Sequence, residues 1–276
     1  MAEIKRLPGG TLPQGAPSLN LGESQHVEVF AAGESTAVLV VEHREHETRI
    51  TQPWLSVPQD DNLARQLVKT IRDLYFAPEK PILVQVDASQ TALTNVLQGS
   101  IIAGHIMTKP IDKHAMPPLA EGVHPRAMNE QETATFLADT EEEFARAVMD
   151  NSADPTDWED ARAKSRRAMG AVVPEGGKTP GHSFLIVEDD KGEKVSLLWV
   201  ALNEETKESF CYNIEVEPDR RRMGYGRKTL GVWERHAAEQ GAASIGLNVF
   251  GKNLAAQKLY SGAGLSIATT VFRIEE

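Results

Sequence analysis

Residues Phe210–Leu230 read FCYNIEVEPDRRRMGYGRKTL. The aromatic and β-branched run Phe210–Val216 predicts a strand that ends at Pro218, and a helix begins near Gly226. Backbone N–H groups at a helix start lack intrahelical partners and lie at the positive end of the helix dipole. Successive N–H groups in such a turn form an anion-binding nest. Gly224 and Gly226 tolerate unusual dihedrals and let the backbone come close to a phosphate. Arg220, Arg221, Arg222, Arg227 and Lys228 concentrate positive charge in a chain whose formal net charge is -11. A diphosphate seat is the physical expectation. A glycine turn by itself suits an ordinary strand-to-helix connection equally well, and only the sequence around it separates the two.

Downstream, Ala243–Phe250 predicts a strand and Asn253–Ser261 a helix, followed by a last strand or pair over Leu265–Ile274. Upstream, Ser183–Glu188 and Val195–Leu202 predict a hairpin around a polar turn. Two acidic helices precede it, near Asn129–Asp150 and Pro155–Met169. In this order and spacing the segment resembles the GNAT superfamily of N-acetyltransferases. The family's loop pattern, Arg or Gln, two residues, Gly, one residue, Gly or Ala, corresponds to Arg221, Arg222, Met223, Gly224, Tyr225 and Gly226. Its later pattern of a helix-opening Asn, then Ala, Leu-Tyr and Gly-Phe corresponds to Asn253, Ala255–Ala256, Leu259–Tyr260 and Gly264–Leu265, with Leu in place of Phe. The resemblance covers roughly residues 120–276.

The resemblance implies acetyl-CoA as co-substrate, no metal, and direct attack of an amine on the acetyl carbonyl without a covalent enzyme intermediate. The backbone from Arg222 to Arg227 would hold the pyrophosphate, with Arg221 at its edge. The strand Tyr212–Val216, with Ile214, Glu215 and Val216 at its centre, would pair with the pantetheine arm. Asn253 would approach the pantetheine, and it also suits the N-cap of its helix. Tyr260 would protonate the leaving thiolate; otherwise it is an aromatic core residue. Simple alternation puts Tyr212, Ile214 and Val216 on one face and Asn213 and Glu215 on the other. Glu215 is then the candidate base, directly or through a water chain, with Asn213 and Asn248 as polar contacts to the acceptor. A carboxylate in a surface hydrogen bond is the competing account of Glu215. Carboxylates of the two acidic helices (Asp139, Glu141, Glu142, Glu143, Asp150, Asp154, Asp157, Glu159 and Asp160) would form a rim that attracts a protonated amine, or merely solvated helix faces.

The first part of the chain repeats this pattern. Strands are expected near His26–Phe30, Thr36–His43, Thr48–Val57, Pro81–Val86 and Ile101–Met107, and helices over Asn62–Phe76 and Gln90–Gln98. When Leu67 is set on Leu230, Ile82, Val84 and Val86 fall on Ile245, Leu247 and Val249, Gln90 on Asn253, and Leu97 on Tyr260. The matching turn, PQDDNLARQ, has no glycine, and Asp60 and Asp61 would repel a diphosphate. The expectation is an α/β chain with mixed sheet and flanking helices: a loose arm over 1–25, a degenerate GNAT-like domain over 26–112, a proline-rich linker over 113–119, and a catalytic GNAT domain over 120–276.

Composition is that of an ordinary soluble protein, 41% hydrophobic and 25% charged. The acidic balance argues against a nucleic-acid partner, which needs clustered Lys and Arg. No apolar run reaches the roughly 20 residues of a membrane span, and no secretion signal is evident. The single cysteine, Cys211, excludes an intrachain disulfide and a cysteine-built zinc site. A cytoplasmic enzyme acting on a small-molecule amine is expected, an antibiotic or a metabolite, with no nucleic acid or membrane partner. Exposed sheet edges suggest a homodimer. A protein or peptide N-acetyltransferase and a non-catalytic acyl-CoA sensor are the alternatives.

Overall fold

Strand edges and helix faces follow the apolar periodicity closely in the computed structural model, which describes residues 3–7, 12–19, 21–22, 24–44, 47–78, 80–112, 114–151 and 157–275. The first half of the chain forms β1 (Lys5–Arg6), β2 (Gln25–Ala32), β3 (Ser35–His43), β4 (Thr48–Leu55), α1 (Asp61–Tyr75), β5 (Ile82–Asp87), α2 (Thr91–Leu97) and β6 (Ile101–Pro110). The second half forms β7 (His124–Ala127), α3 (Glu130–Asn151), α4 (Trp158–Val172), β8 (His182–Glu188), β9 (Lys194–Asn203), β10 (Glu208–Val216), α5 (Tyr225–Glu239), β11 (Ser244–Phe250), α6 (Leu254–Gly262) and β12 (Ser266–Ile274).

The chain divides into two compact units, and the division does not follow the expected boundary between 112 and 120. The first unit comprises Met1–Met107, Asn248–Gln257 and Ser266–Glu276. Its strands run in the order β1-β2-β3-β4-β5-β12-β6. The last strand of the chain therefore lies in the first unit, antiparallel to β5 with Phe272 opposite Val84. Phe272 and Ile274 join the core that Leu63, Leu67 and Ile71 of α1 make with Leu39, Ile50 and Val84. Burial of their apolar side chains, at roughly 1.5–3 kcal/mol each, outweighs their nearness in sequence to the second unit.

The arm was expected to be loose, yet Lys5 and Arg6 pair with Ala31 and Phe30 of β2. Arg6 also forms an ion pair with the buried carboxylate of Glu28. The buried charge needs a partner, and the arm supplies it.

The second unit comprises Thr108–Leu247 and Lys258–Leu265. Its strands run β11-β10-β9-β8-β7, with β10 and β11 parallel and the others antiparallel. β7 (HPRA) is an edge strand that the sequence reading did not expect, and proline is tolerated there because one side of the strand is unpaired. α5 packs on one face of this sheet, where the Trp233 indole donates to Ser209 Oγ at 3.0 Å. α3 packs on the other face, where Phe136 meets Phe184 and Trp199 edge-on.

Candidate active site

The turn between β10 and α5 is left-handed at two positions. Gly224 is the N-cap of α5 at φ 90°, and Arg222 two residues earlier is also left-handed at φ 65°. Arg227 and Lys228 N–H both donate to the Gly224 carbonyl, at 3.1 and 3.2 Å. The amides of Tyr225 and Gly226 precede the first intrahelical bonds and carry no intrahelical partner. A Cβ built on Gly224 would meet nothing within 4 Å, so the space in front of this turn is open. Arg221 is tied back, its Nε donating to the Val216 carbonyl at 3.1 Å. Met223 is exposed at the tip. The two glycines serve different ends. Gly224 supplies the dihedral, whereas a Cβ on Gly226 would stand 3.1 Å from Leu259 of α6 and 3.8 Å from Val216.

Tyr260 follows Leu259 on α6 and is 8% exposed. Burial, aided by the neighbouring Cys211, pushes its hydroxyl up to about 12, so it stays protonated and can act as a donor at any physiological pH. Burial likewise pushes the Cys211 thiol up, which removes it as a nucleophile.

On β10 the structure corrects the face assignment. The ladder to β9 runs Cys211 opposite Val200, then Asn213 opposite Trp199, which leaves Tyr212 as an extra residue in a β-bulge. A bulge puts two residues against one partner and interrupts strict alternation. Tyr212, expected opposite Asn213 and Glu215, instead stacks on Trp199 of the α3 face, with ring centroids 4.8 Å apart. Asn213 and Glu215 line a cavity of about 740 Å³ on that same face, together with Met128, Asn129, Phe136, Ile186 and Leu197. Val216 lies on the opposite face, its Cγ2 towards Gly226 of α5.

The cavity wall also carries Arg126, Glu132, Asp139, Glu142, Glu143, Arg146, Glu188 and Lys194. Its cations are engaged. Arg126 bonds both oxygens of Glu132 at 2.8 Å and Glu188 at 2.7 Å, contacts that hold its guanidinium well above the usual range. Arg126 and the Asn129 amide hold the Glu132 carboxyl at about 2. Arg146 pairs with Glu142 at 2.6 Å, and Lys194 with Glu217 at 2.6 Å. Among the described residues Asp139 and Glu143 carry no ion pair, and Glu215 has only Arg221 at 3.7 Å. Burial, then the charges of Glu143 and Glu217, raise the Glu215 carboxyl above its ordinary value.

Of the carboxylates expected to form the rim, Asp139, Glu142 and Glu143 line the cavity. Glu141 turns to α4, where Arg166 Nε lies at 3.4 Å. Asp157 caps α4 through the Asp160 amide at 2.8 Å, with Glu159 and Asp160 in that helix's first turn. Asp154 and the side chain of Asp150 fall outside the described residues. Arg126, Glu132 and Glu188 were missed because they meet only when β7, α3 and β8 come together. The Asn129–Glu132 capping box, reciprocal at 2.8 and 2.9 Å, was a legible signal for the start of α3.

The remaining two expected residues belong to the other compact unit. Asn248 is exposed on β11. Asn253 Oδ1 accepts the Ala256 N–H at 3.1 Å, the N-cap arrangement of α6.

In the first unit, the counterparts of these backbone groups are occupied from within. Asp60 caps α1, its Oδ1 accepting from Asn62 N–H at 3.1 Å and Leu63 N–H at 2.9 Å. Ser35 Oγ donates to its other oxygen at 3.2 Å. Gln90, buried at the start of α2, accepts the Leu55 N–H at the end of β4 at 3.0 Å.

Among the described residues no group of three or more His, Cys, Asp or Glu could hold a metal, and no helix is long and apolar enough to cross a membrane.

Comparison with known proteins agrees with this geometry. The model of the acetyltransferase (GNAT) family matches residues 136–265. The uncharacterized N-acetyltransferase YdgE of Bacillus subtilis (strain 168) is 27% identical over 150 residues, 53% of this chain and 93% of that protein. The uncharacterized N-acetyltransferase YycN of the same organism is 26% identical over 141 residues, 50% and 88% of the two chains. Among solved structures, a GCN5-related N-acetyltransferase from Sphaerobacter thermophilus aligns over 94% of this chain and 81% of its own, at TM-score 0.51 and 16% identity, which is likeness of fold alone. The family match ends at Leu265, where the second unit also ends and β12 departs for the first. Residues 136–265 are thus an acetyltransferase domain of the GNAT family, set in a mixed α/β chain.

Proposed function

We propose that the chain transfers the acetyl group of acetyl-CoA to the amine of a small cationic molecule. The observation that carries this reading is the cavity beside β10, in which Asp139, Glu143 and Glu215 face a common space while the neighbouring cations are engaged elsewhere. Three under-neutralised carboxylates favour a cation over an anion or a neutral guest.

The turn from Arg222 to Arg227 fits a diphosphate, because its backbone is left-handed at Gly224 and nothing fills the space before it. When bound there, acetyl-CoA supplies a thioester open to attack. Glu215 accepts the proton that the ammonium must lose before it can attack, and its raised pKa brings it nearer to that task. Tyr260 donates a proton to the departing sulfur. The N-terminal repeat, residues 26–112, takes no part in binding acetyl-CoA, since Asp60 and Gln90 fill the places that a ligand would need. The same reading sets the enzyme in the cytoplasm, as the single cysteine suits, and as a homodimer.

The test is CoA release from acetyl-CoA with a panel of mono- and polycationic small amines, neutral amines and basic peptides, at low and high salt. The proposal expects turnover with small cationic amines, and a Michaelis constant that rises with salt as the Debye length falls from about 10 Å at 0.1 M to about 3 Å at 1 M. Neutral amines should show little salt dependence. Turnover confined to peptides, or acetyl-CoA binding without release for every amine, would overturn it in favour of a protein acetyltransferase or a sensor.

A further inference from the structure

The bulge that brings Asn213 and Glu215 into one cavity is held by side chains outside that cavity. Tyr212, the extra residue, is 44% exposed and makes its contacts through its ring. One neighbour is Trp199 on β9, stacked at 4.8 Å and 21°. A second is His182 at the start of β8, stacked at 5.5 Å and 29°, and Phe210 of β10 itself meets the ring edge-on at 5.2 Å. Trp199 and His182 are joined in turn, the indole Nε1–H donating to His182 Nδ1 at 2.9 Å. That bond requires Nδ1 to be unprotonated, so a neutral ring carries its proton on Nε2. Trp199 also meets Phe136 of the cavity wall edge-on at 6.2 Å. His182, Trp199, Tyr212 and Phe136 thus form a continuous ring-to-ring path from the edge of β8 to the cavity.

We propose that His182 is a positioning residue for the acceptor: by accepting the Trp199 indole N–H it fixes the ring on which Tyr212 stacks, and so fixes the bulge that turns Asn213 and Glu215 to the amine. An indole in a buried site with its N–H unsatisfied is unfavourable and drives the ring to reorient. A reoriented Trp199 withdraws the platform under Tyr212, and strict alternation continued from Ser209 and Cys211 would then carry Asn213 and Glu215 together to the α5 face, away from the cavity. His182 itself touches neither reactant. This inference rests on the cavity being the acceptor site.

Three variants of the full chain separate the contributions. In His182→Asn the amide oxygen stands where Nδ1 stood and can accept the indole N–H, without the ring. In His182→Phe the ring remains and the acceptor is lost. In His182→Ala both are lost. The expected result is a Michaelis constant for the amine raised about 10- to 100-fold in the Phe and Ala variants, as misplacement of a reacting group predicts. Asn should restore it to within about threefold of wild type, and the constant for acetyl-CoA should be unchanged in all three. Equal constants in all variants, Phe matching wild type, Asn as poor as Ala, or parallel loss of both substrates would each overturn the proposal.

If wild type acetylates no cationic amine, the proposed function fails, and positioning is read by amide NMR instead. The Tyr212, Asn213 and Glu215 signals should shift in His182→Ala and return in His182→Asn. Signals that stay put in the Ala variant would overturn the positioning role by itself.

Discussion

Replacing Gly224 with alanine asks whether the β10–α5 turn is built for its ligand or only for itself. At φ 90° an L-residue is strained, and a left-handed alanine costs about 1–2 kcal/mol. No steric clash adds to this, because nothing lies within 4 Å of the new Cβ. Denaturant unfolding should therefore show a loss of about 1–2 kcal/mol and no more. Binding should suffer separately. The new methyl enters the open space where a phosphate would sit. Relaxation of φ would also swing the α5 amides away, and a hydrogen bond to a charged group is worth about 1.5–3 kcal/mol. Calorimetry should then give a dissociation constant for acetyl-CoA raised by about 10- to 150-fold, at 1.4 kcal/mol per tenfold. Gly226→Ala is the control, since its dihedral is ordinary but its Cβ would press Leu259 at 3.1 Å. Crowding there costs about 1–3 kcal/mol of stability and disturbs the helix that carries Tyr260, so turnover should fall more than affinity. An alanine at 224 that binds acetyl-CoA as tightly as glycine does would refute the diphosphate seat.

Tyr260→Phe should lower the rate of the chemical step about 100- to 10,000-fold while acetyl-CoA binding measured by calorimetry stays near wild type; unchanged turnover, where chemistry limits the rate, returns Tyr260 to core packing. Glu215→Gln should lose most activity at pH values above the raised Glu215 pKa but below that of the amine, and the gap to wild type should close at lower pH, where Glu215 is itself protonated. The folded state holds the Glu215 proton more tightly than the unfolded one, so its ionisation lowers stability as pH rises through the folded pKa. The Gln variant should then be more stable than wild type at neutral pH and equal to it below the unfolded carboxyl pKa, as unfolding curves at several pH values would show. Calorimetry on wild type should find one acetyl-CoA site per chain, and a second site would remove the idea that Asp60 and Gln90 close the first unit. Phe272→Ala should destabilise the first unit by about 3–5 kcal/mol, despite its place at the far end of the chain, and a milder loss by amide exchange would mean that β12 is only loosely held.

The proposed diphosphate seat was legible because its geometry is local. Arg221–Gly226 and α5 are consecutive, so the residues that set the dihedrals and amide directions are the same residues that form the motif. Asp60 belongs to this class too: an acidic residue before a helix start caps that helix, and a capped helix has given its amides away. Gln90 was visible only as the counterpart of Asn253. The physical content of that match, a side chain that takes the Leu55 amide, needed β4 and α2 to be brought together.

The proposed acceptor cavity was legible in some of its residues but not in its geometry. Strand alternation is a sound default for β10, and it holds on either side of residue 212: Ser209 and Cys211 are buried before it, and Val216 faces α5 after it. It fails at Tyr212, because the residue that makes an extra position favourable there is Trp199 on the neighbouring strand, and the group that steadies Trp199 is His182 on the strand beyond. No window along β10 contains either. β12 is the same problem at a larger scale. Its pattern announces a strand, but an alternating apolar face is silent about which sheet it completes, and Phe272 and Ile274 are buried by α1 and β5. Local propensity thus decides where the backbone can offer amides to a phosphate, whereas pairing between distant strands decides which side chains an amine would meet. The direction in which Asn213 and Glu215 point is thus set at Tyr212 by Trp199 and His182, residues that lie outside the cavity and outside β10.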